Sequence, residues 1–221
     1  CAAADLDGDR HLDLVISYSD PFAPAVALLR GMGDGTFLPP EIHPIGVGGD
    51  VPMAIFFEDF DRDGFLDVGA SADRRFAIFR NDGHGSLEPP RLTGETSAFL
   101  GATGDFDEDG FPDVVTGRTG FDETFVFLND GAGYLVPFGQ YPSARDTSCV
   151  TVGDFDEDGH LDVVWGGSQG QDIALLLGGG RGHFPGPIMV PRAGSSGSYG
   201  IADFTSPPRA ASRGRSSPTS L

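Results

Sequence analysis

Apolar residues along this chain come in short runs separated by acidic or Gly-rich stretches. Met53 to Phe57, Asp113 to Thr116 and Val150 to Val152 are rich in β-branched and aromatic residues, the composition of half-buried strands. No segment of ten or more residues carries a 3.6-residue apolar period, so helices are not expected. Further apolar runs, Ala25 to Leu29, Phe76 to Phe79, Phe125 to Leu128 and Ile173 to Leu177, each lead into a Gly-rich stretch. Those stretches read Gly31-Met-Gly-Asp-Gly-Thr-Phe37, Asn81-Asp-Gly-His-Gly-Ser-Leu87, Asn129-Asp-Gly-Ala-Gly-Tyr-Leu135 and Gly178-Gly-Gly-Arg-Gly-His-Phe184. Such sequences supply the positive φ angles of tight hairpins. Prolines follow at Pro39-Pro40, Pro89-Pro90, Pro137 and Pro185, as suits edge strands, where a missing N–H is tolerated.

The acidic stretches repeat without gaps: Asp5 to Asp13, Asp59 to Asp67, Asp105 to Asp113 and Asp154 to Asp162. Their starts are 54, 46 and 49 positions apart. A fifth copy opens at Ala202-Asp203-Phe204. Each unit therefore reads strand, acidic loop, strand, loop, strand, Gly-rich turn, strand. Four strands in about 48 residues is one β-propeller blade. The expected fold is all-β, with blades of four antiparallel strands. Some four to four and a half repeats are present, fewer than a seven-bladed ring needs, so an open arc or part of a larger propeller is expected.

Composition sharpens this picture. The chain has 221 residues and a net charge of -19, with 26 Asp, 7 Glu, 14 Arg and no Lys. This acidity argues against nucleic acid as a partner. No apolar run reaches the roughly 18 residues of a transmembrane helix. At 39% hydrophobic residues the chain is too apolar for a disordered acidic tail. Two cysteines, Cys1 and Cys149, make no disulfide framework, although a single bridge between them is open. The chain begins at Cys1 without Met, as a fragment or a processed chain does. A lipidated N-terminal Cys is the weaker reading, because Cys1 falls inside a repeat.

Sixteen of the Asp residues occupy positions 1, 3, 5 and 9 of the four loops. Alternate acids in a tight loop converge, and two carboxylates ~4 Å apart repel by about 4 kcal/mol at an effective dielectric of 20. A hard divalent cation relieves that repulsion, and Ca²⁺ suits a flexible all-oxygen loop better than Mg²⁺. The candidate ligands are the carboxylates of Asp5, Asp7, Asp9 and Asp13; Asp59, Asp61, Asp63 and Asp67; Asp105, Asp107, Asp109 and Asp113; and Asp154, Asp156, Asp158 and Asp162. The position-7 residues, His11, Phe65, Phe111 and His160, would add a backbone carbonyl each. Up to four Ca²⁺ ions are expected. Position 6 is Gly64, Gly110 and Gly159, which permits a sharp turn; Arg10 stands there in the first loop, so strain is expected at that site. An EF-hand would place a Glu at position 12, where Ile16, Ala70, Thr116 and Trp165 stand instead. The position-2 residues, Leu6, Phe60, Phe106 and Phe155, should point into the blade core, which would make the ions structural.

The pattern Ala-Asp-Leu/Phe-Asp-x-Asp-Gly-x-x-Asp, with Leu-Leu-x-Gly-x-Gly-Asp-Gly-x-Phe downstream, resembles the FG-GAP-like or VCBS repeat over residues 1–204. The same calcium loop occurs in the propeller of integrin α subunits. The resemblance implies a calcium-binding propeller, commonly seven-bladed, in secreted or cell-surface proteins. Arg10 departs from the pattern, and the loop at Asp203 departs completely.

Residues 205–221 form a Ser/Pro/Arg tail with three Arg and no acid, expected to be disordered. Register held to Phe204 and then lost at once favours a frameshift product over a natural linker. Other chemistry is weaker. Gly166-Gly-Ser168-Gln-Gly170 matches a nucleophile elbow, but a strand is expected after it where that motif needs a helix. The five histidines (His11, His43, His84, His160, His183) lack zinc-ligand spacing. Trp165 is expected in the core. Arg74, Arg75, Arg118, Phe121 and Arg145, between the repeat markers, are the places to look for a ligand face. The favoured function is calcium-stabilised binding or adhesion to a protein or glycan, with no catalytic constellation. The alternative is a portion of a secreted carbohydrate-active enzyme such as a polysaccharide lyase. Closing the ring is expected to need further repeats.

Overall fold

The structure is a computed structural model, described over residues 1–18, 24–45, 52–72, 75–93, 100–117, 123–144, 147–167 and 172–191. The opening of a fifth repeat at Asp203, the tail, Arg74, Arg118, Phe121, Arg145 and the side chain of Arg75 lie outside the described residues.

Sixteen strands form four separate sheets of four, each antiparallel and in sequence order. Blade 1 comprises β1 (Ala2–Ala4), β2 (Asp13–Tyr18), β3 (Ala25–Leu29) and β4 (Glu41–Pro44). Blade 2 comprises β5 (Pro52–Glu58), β6 (Asp67–Ala72), β7 (Arg75–Phe79) and β8 (Arg91–Thr93). Blade 3 comprises β9 (Leu100–Gly104), β10 (Asp113–Gly117), β11 (Glu123–Asn129) and β12 (Leu135–Pro142). Blade 4 comprises β13 (Thr147–Gly153), β14 (Asp162–Gly167), β15 (Asp172–Leu176) and β16 (Pro187–Pro191). No helix occurs among the described residues. The four blades form an open arc, as the repeat count implied.

Each acidic loop joins the first strand of a blade to the second, and each Gly-rich turn joins the third to the fourth. The prolines fall where the ladder tolerates them. Pro44, Pro137, Pro142, Pro187 and Pro191 lie in the outermost strands, which have a free edge. Opposite Pro137 the register slips between Val126 and Phe127. This bulge leaves Phe138 as an extra residue on the exposed edge, 48% accessible.

The core lies between blades rather than within them, because a single sheet has no layer of its own to pack against. Strand alternation sends neighbouring residues to opposite faces. Val15, Val26 and Leu28 of blade 1 meet Val68, Ala70 and Phe79 of blade 2. Phe76 and Ile78 of blade 2 meet Val114 and Phe127 of blade 3. Val115 and Val126 of blade 3 meet Val163, Trp165 and Leu176 of blade 4. Trp165 is a core residue, 1% exposed. Cys1 and Cys149 are both exposed and unbridged, so the open question of a disulfide between them is answered in the negative.

Candidate metal centres at the blade junctions

The four acidic loops share one hydrogen-bond pattern. The position-9 carboxylates, Asp13, Asp67, Asp113 and Asp162, are buried at the starts of β2, β6, β10 and β14. One oxygen of each accepts the amide of position 2: Leu6 at 3.0 Å, Phe60 at 3.0 Å, Phe106 at 2.8 Å and Phe155 at 2.7 Å. The other accepts the first amide of the Gly-rich turn: Gly31 at 2.9 Å, Asn81 at 2.8 Å, Asn129 at 2.8 Å and Gly178 at 2.7 Å. Position 9 therefore ties loop, turn and strand together.

The position-1 carboxylate accepts the amide of position 6 in every loop, from Arg10, Gly64, Gly110 and Gly159. Position 3 accepts the amide of position 5. Position 5 accepts the amide of position 7, as from His11 to Asp9 at 2.7 Å and from Phe111 to Asp109 at 2.8 Å. These amides place positive dipole ends among the carboxylates and offset part of the repulsion. The loop is thereby preformed.

Two residues in each loop take left-handed backbone. They are Gly8 and Arg10 in the first, Arg62 and Gly64 in the second, Glu108 and Gly110 in the third, and Glu157 and Gly159 in the fourth. Arg10 is indeed strained, at φ 73°. The first loop nevertheless carries the same number of strained non-Gly residues as the others, because its glycine sits at position 4 instead of 6.

Among the described residues, ligand oxygens from positions 1, 3 and 9 converge in all four loops, within 4.8 Å of one another. The groups are Asp5, Asp7 and Asp13; Asp59, Asp61 and Asp67; Asp105, Asp107 and Asp113; and Asp154, Asp156 and Asp162. The position-5 acids, Asp9, Asp63, Asp109 and Asp158, stand outside these groups, their carboxylates turned to the position-7 amides. An all-carboxylate donor set fits a hard divalent cation. The buried Oδ1 of Asp105 has no hydrogen-bond partner, which leaves it available as a ligand. Burial pushes Asp67 and Asp113 up to about 7 and also raises Asp162; neighbouring acids add to the effect, and the backbone amides oppose it.

The position-7 side chains have a role that the sequence reading missed, having assigned only their carbonyls. The rings of His11, Phe65, Phe111 and His160 lie over Gly33, Gly83, Gly131 and Gly180, where a Cβ would collide with them or press hard against them. Each ring clamps the turn of its own blade. Two arginines were also missed. Arg30 and Arg80 directly precede the Gly-rich turns of blades 1 and 2, and each pairs with the position-3 carboxylate of its own loop, Asp7 at 3.6 Å and Asp61 respectively. Blades 3 and 4 place Leu128 and Leu177 there. The signal in the sequence was the common offset of these residues from the turn.

The first three loops sit at the seams, while Phe155 of the fourth is only half-buried. Leu6, Phe60 and Phe106 are buried in the three interblade clusters. Their carbonyls accept hydrogen bonds from the next blade: Leu6 from Asn81 Nδ2 at 2.7 Å, Phe60 from Asn129 Nδ2 at 2.7 Å, and Phe106 from the Gly182 amide at 2.8 Å. Arg30 adds bonds to the carbonyls of His84 at 3.2 Å and Gly85 at 2.7 Å.

No curated protein sequence matches the chain. Solved structures with the same fold include an Agrocybe aegerita lectin that recognises non-reducing terminal N-acetylglucosamine (20% identity, TM-score 0.58, 86% of this chain and 52% of that one). The V. cholerae biofilm matrix protein Bap1 matches at 20% identity and TM-score 0.58, over 86% of this chain and 28% of that one. BBS1N, solved in complex with ARL6DN, matches at 15% identity and TM-score 0.57, over 86% and 55%. The chain thus spans about half or less of the length of these structures. The family model for the FG-GAP-like repeat matches residues 5–70, 105–165 and 154–206, and the chain belongs to that family.

Proposed function

We propose that this chain is a calcium-binding propeller module of a secreted or cell-surface protein, in which Ca²⁺ has a structural role and the blades present a surface to a protein or glycan. The observation that carries the reading is the fourfold recurrence of a preformed carboxylate triad, three times beside a blade seam. The position-1, 3 and 9 acids would hold the ion. It would supply positive charge to carboxylates that burial otherwise pushes toward protonation. Position 2 spans loop and seam, so filling the loop would stiffen the junction.

A binding role is supported by the lectin and the biofilm matrix protein that share the fold. A groove of about 370 Å³ runs between the outer parts of blades 1 and 2, lined by His43, Pro44, Phe79, Glu88, Pro89 and Pro90. Flat apolar rings beside a carboxylate suit the face and hydroxyls of a sugar ring.

Calorimetric titration with Ca²⁺ and thermal melting with and without a chelator test the metal reading. Heat of binding and a lower melting temperature in chelator are expected. No heat and an unmoved melting curve would end it. A glycan array probed in Ca²⁺ and in chelator tests the ligand class.

A further inference from the structure

Arg30 and Arg80 stand at the same position of blades 1 and 2, yet they are held differently. The carbonyl of each accepts an amide from across its Gly-rich turn, Leu38 at 2.9 Å and Glu88 at 2.8 Å. Arg30 reaches across the seam. Its guanidinium donates to the His84 and Gly85 carbonyls of blade 2 and pairs with Glu41 at 3.2 Å, while Asp7 is 3.6 Å away. Arg80 turns to its own loop. It contacts Asp61, whose side chain is only 7% exposed and whose Oδ2 accepts no hydrogen bond among the described residues. A second acid, Glu88, lies 3.9 Å from the same guanidinium and is half exposed.

The cause lies in the outermost strands. Glu41 and Arg91 occupy the same register position, opposite Leu28 in blade 1 and Ile78 in blade 2. Glu41 draws Arg30 to the seam. In blade 2 the matching seat is taken. A Cβ at Gly85 would lie 2.9 Å from Arg30 Nη1, and one at Gly133 would lie 3.0 Å from Arg91 Nη1. Arg91 also lies over the Tyr134 ring, 4.6 Å from its centre. Like charges keep a second guanidinium out of that seat, so Arg80 stays on Asp61. Arg30 thus shows the arrangement in which an arginine at this position has left its loop for an outer acid.

We propose that Arg80 gates the second loop: its guanidinium is the resident counter-ion of Asp61, and a divalent cation gains that ligand only as the guanidinium swings to Glu88. The inference rests on the calcium reading above. A site whose competent arrangement is only partly populated binds with its affinity reduced by that fraction, so the second loop is weakened by its own arginine. Leu128 stands at this position in blade 3, so the third loop needs no such exchange. Glu88 also lines the groove between blades 1 and 2. Filling the second loop therefore turns that part of the groove wall from an acid into an ion pair, and one side chain couples loop to groove.

Titration of the full 221-residue chain with Ca²⁺, followed by amide NMR, tests the gate loop by loop. The Gly64 and Gly110 amides donate to Asp59 and Asp105, so they report the second and third loops. Arg80→Gln should lower the Ca²⁺ midpoint at Gly64 roughly tenfold and leave Gly110 in place. Arg181→Gln, which removes the same charge from an exposed turn of blade 4, should shift neither. Glu88→Gln should raise the Gly64 midpoint about threefold when Arg80 is present and leave it unmoved in the Arg80→Gln background. General electrostatics would instead shift both backgrounds alike. An unchanged Gly64 midpoint in Arg80→Gln, or an equal effect of Glu88→Gln in both backgrounds, would overturn the gate while calcium binding stands. If neither glycine signal moved with Ca²⁺, the calcium reading would fall and the gate with it.

Discussion

At the scale of the residue, position 9 of the loop matters most. Asp113 accepts two buried amides, from Phe106 and Asn129. Asp113→Ala strands both donors at roughly 1–3 kcal/mol each. A loss of about 2–6 kcal/mol in urea unfolding is expected, whether or not metal is bound. The pH response follows from the raised pKa of Asp67 and Asp113, about 7 in the fold against an ordinary 3.8. The folded state then holds more protons than the unfolded chain between those values. Stability of the metal-free protein should therefore fall as pH rises from about 4 through 7. Calcium competes with those protons, so the rise in melting temperature it causes should grow over the same interval. Melting curves from pH 5 to 8, with and without Ca²⁺, check both signs. Arg80 offers a different lever, because its guanidinium pairs with the nearly buried Asp61 carboxylate. Arg80→Gln should free that ligand and tighten Ca²⁺ binding at the second loop, read by calorimetry as a change in one site of the four.

At the scale of the element, the blade seam is the unit. Asn129 joins the Phe60 and Pro112 carbonyls through one side-chain amide. Asn129→Ala should cost about 1–3 kcal/mol and raise hydrogen exchange in β6, β10 and the loop between Asp59 and Asp67. The sequence made the elements legible because strand, acid loop and Gly turn each have a local cause. Alternating acids, Asn-Asp-Gly and β-branched runs act within a few residues. The seams were less legible. Phe60 was recognisable as a core residue, but its core belongs to two blades, and nothing local says that its carbonyl meets Asn129, 69 positions away. The same limit explains the first loop. Arg10 looked like a defect when position 6 was read alone. Gly8 at position 4 shows that the backbone asks for two left-handed residues and that one glycine can stand at either. The convergence of positions 1, 3 and 9 followed the spacing, whereas the position-5 carboxylates stand outside those groups, each accepting the position-7 amide.

At the scale of the whole molecule, the arc is a one-dimensional stack in which each blade touches only its neighbours. Among the described residues, blades 2 and 3 have a partner on both faces, while blades 1 and 4 have one each. Unfolding in such a stack should begin at the ends. Hydrogen exchange is expected to be slowest in β6, β7, β10 and β11 and faster in β2 and β15, as measured by mass spectrometry under conditions that keep the chain monomeric. Equal protection in all four blades would show that the ends are covered.

The three seams differ in one respect that bears on heredity. Two are fastened by a side chain, Asn81 or Asn129, and the third by the main-chain amide of Gly182. Replacing either asparagine deletes its bond outright, but no change of side chain removes a peptide N–H except a change to proline. A scan of single alanine substitutions would therefore chart the first two fastenings directly. At the third it would register only the steric fate of a glycine with φ of 71°, and a map of mutational sensitivity would misstate where the bonds are.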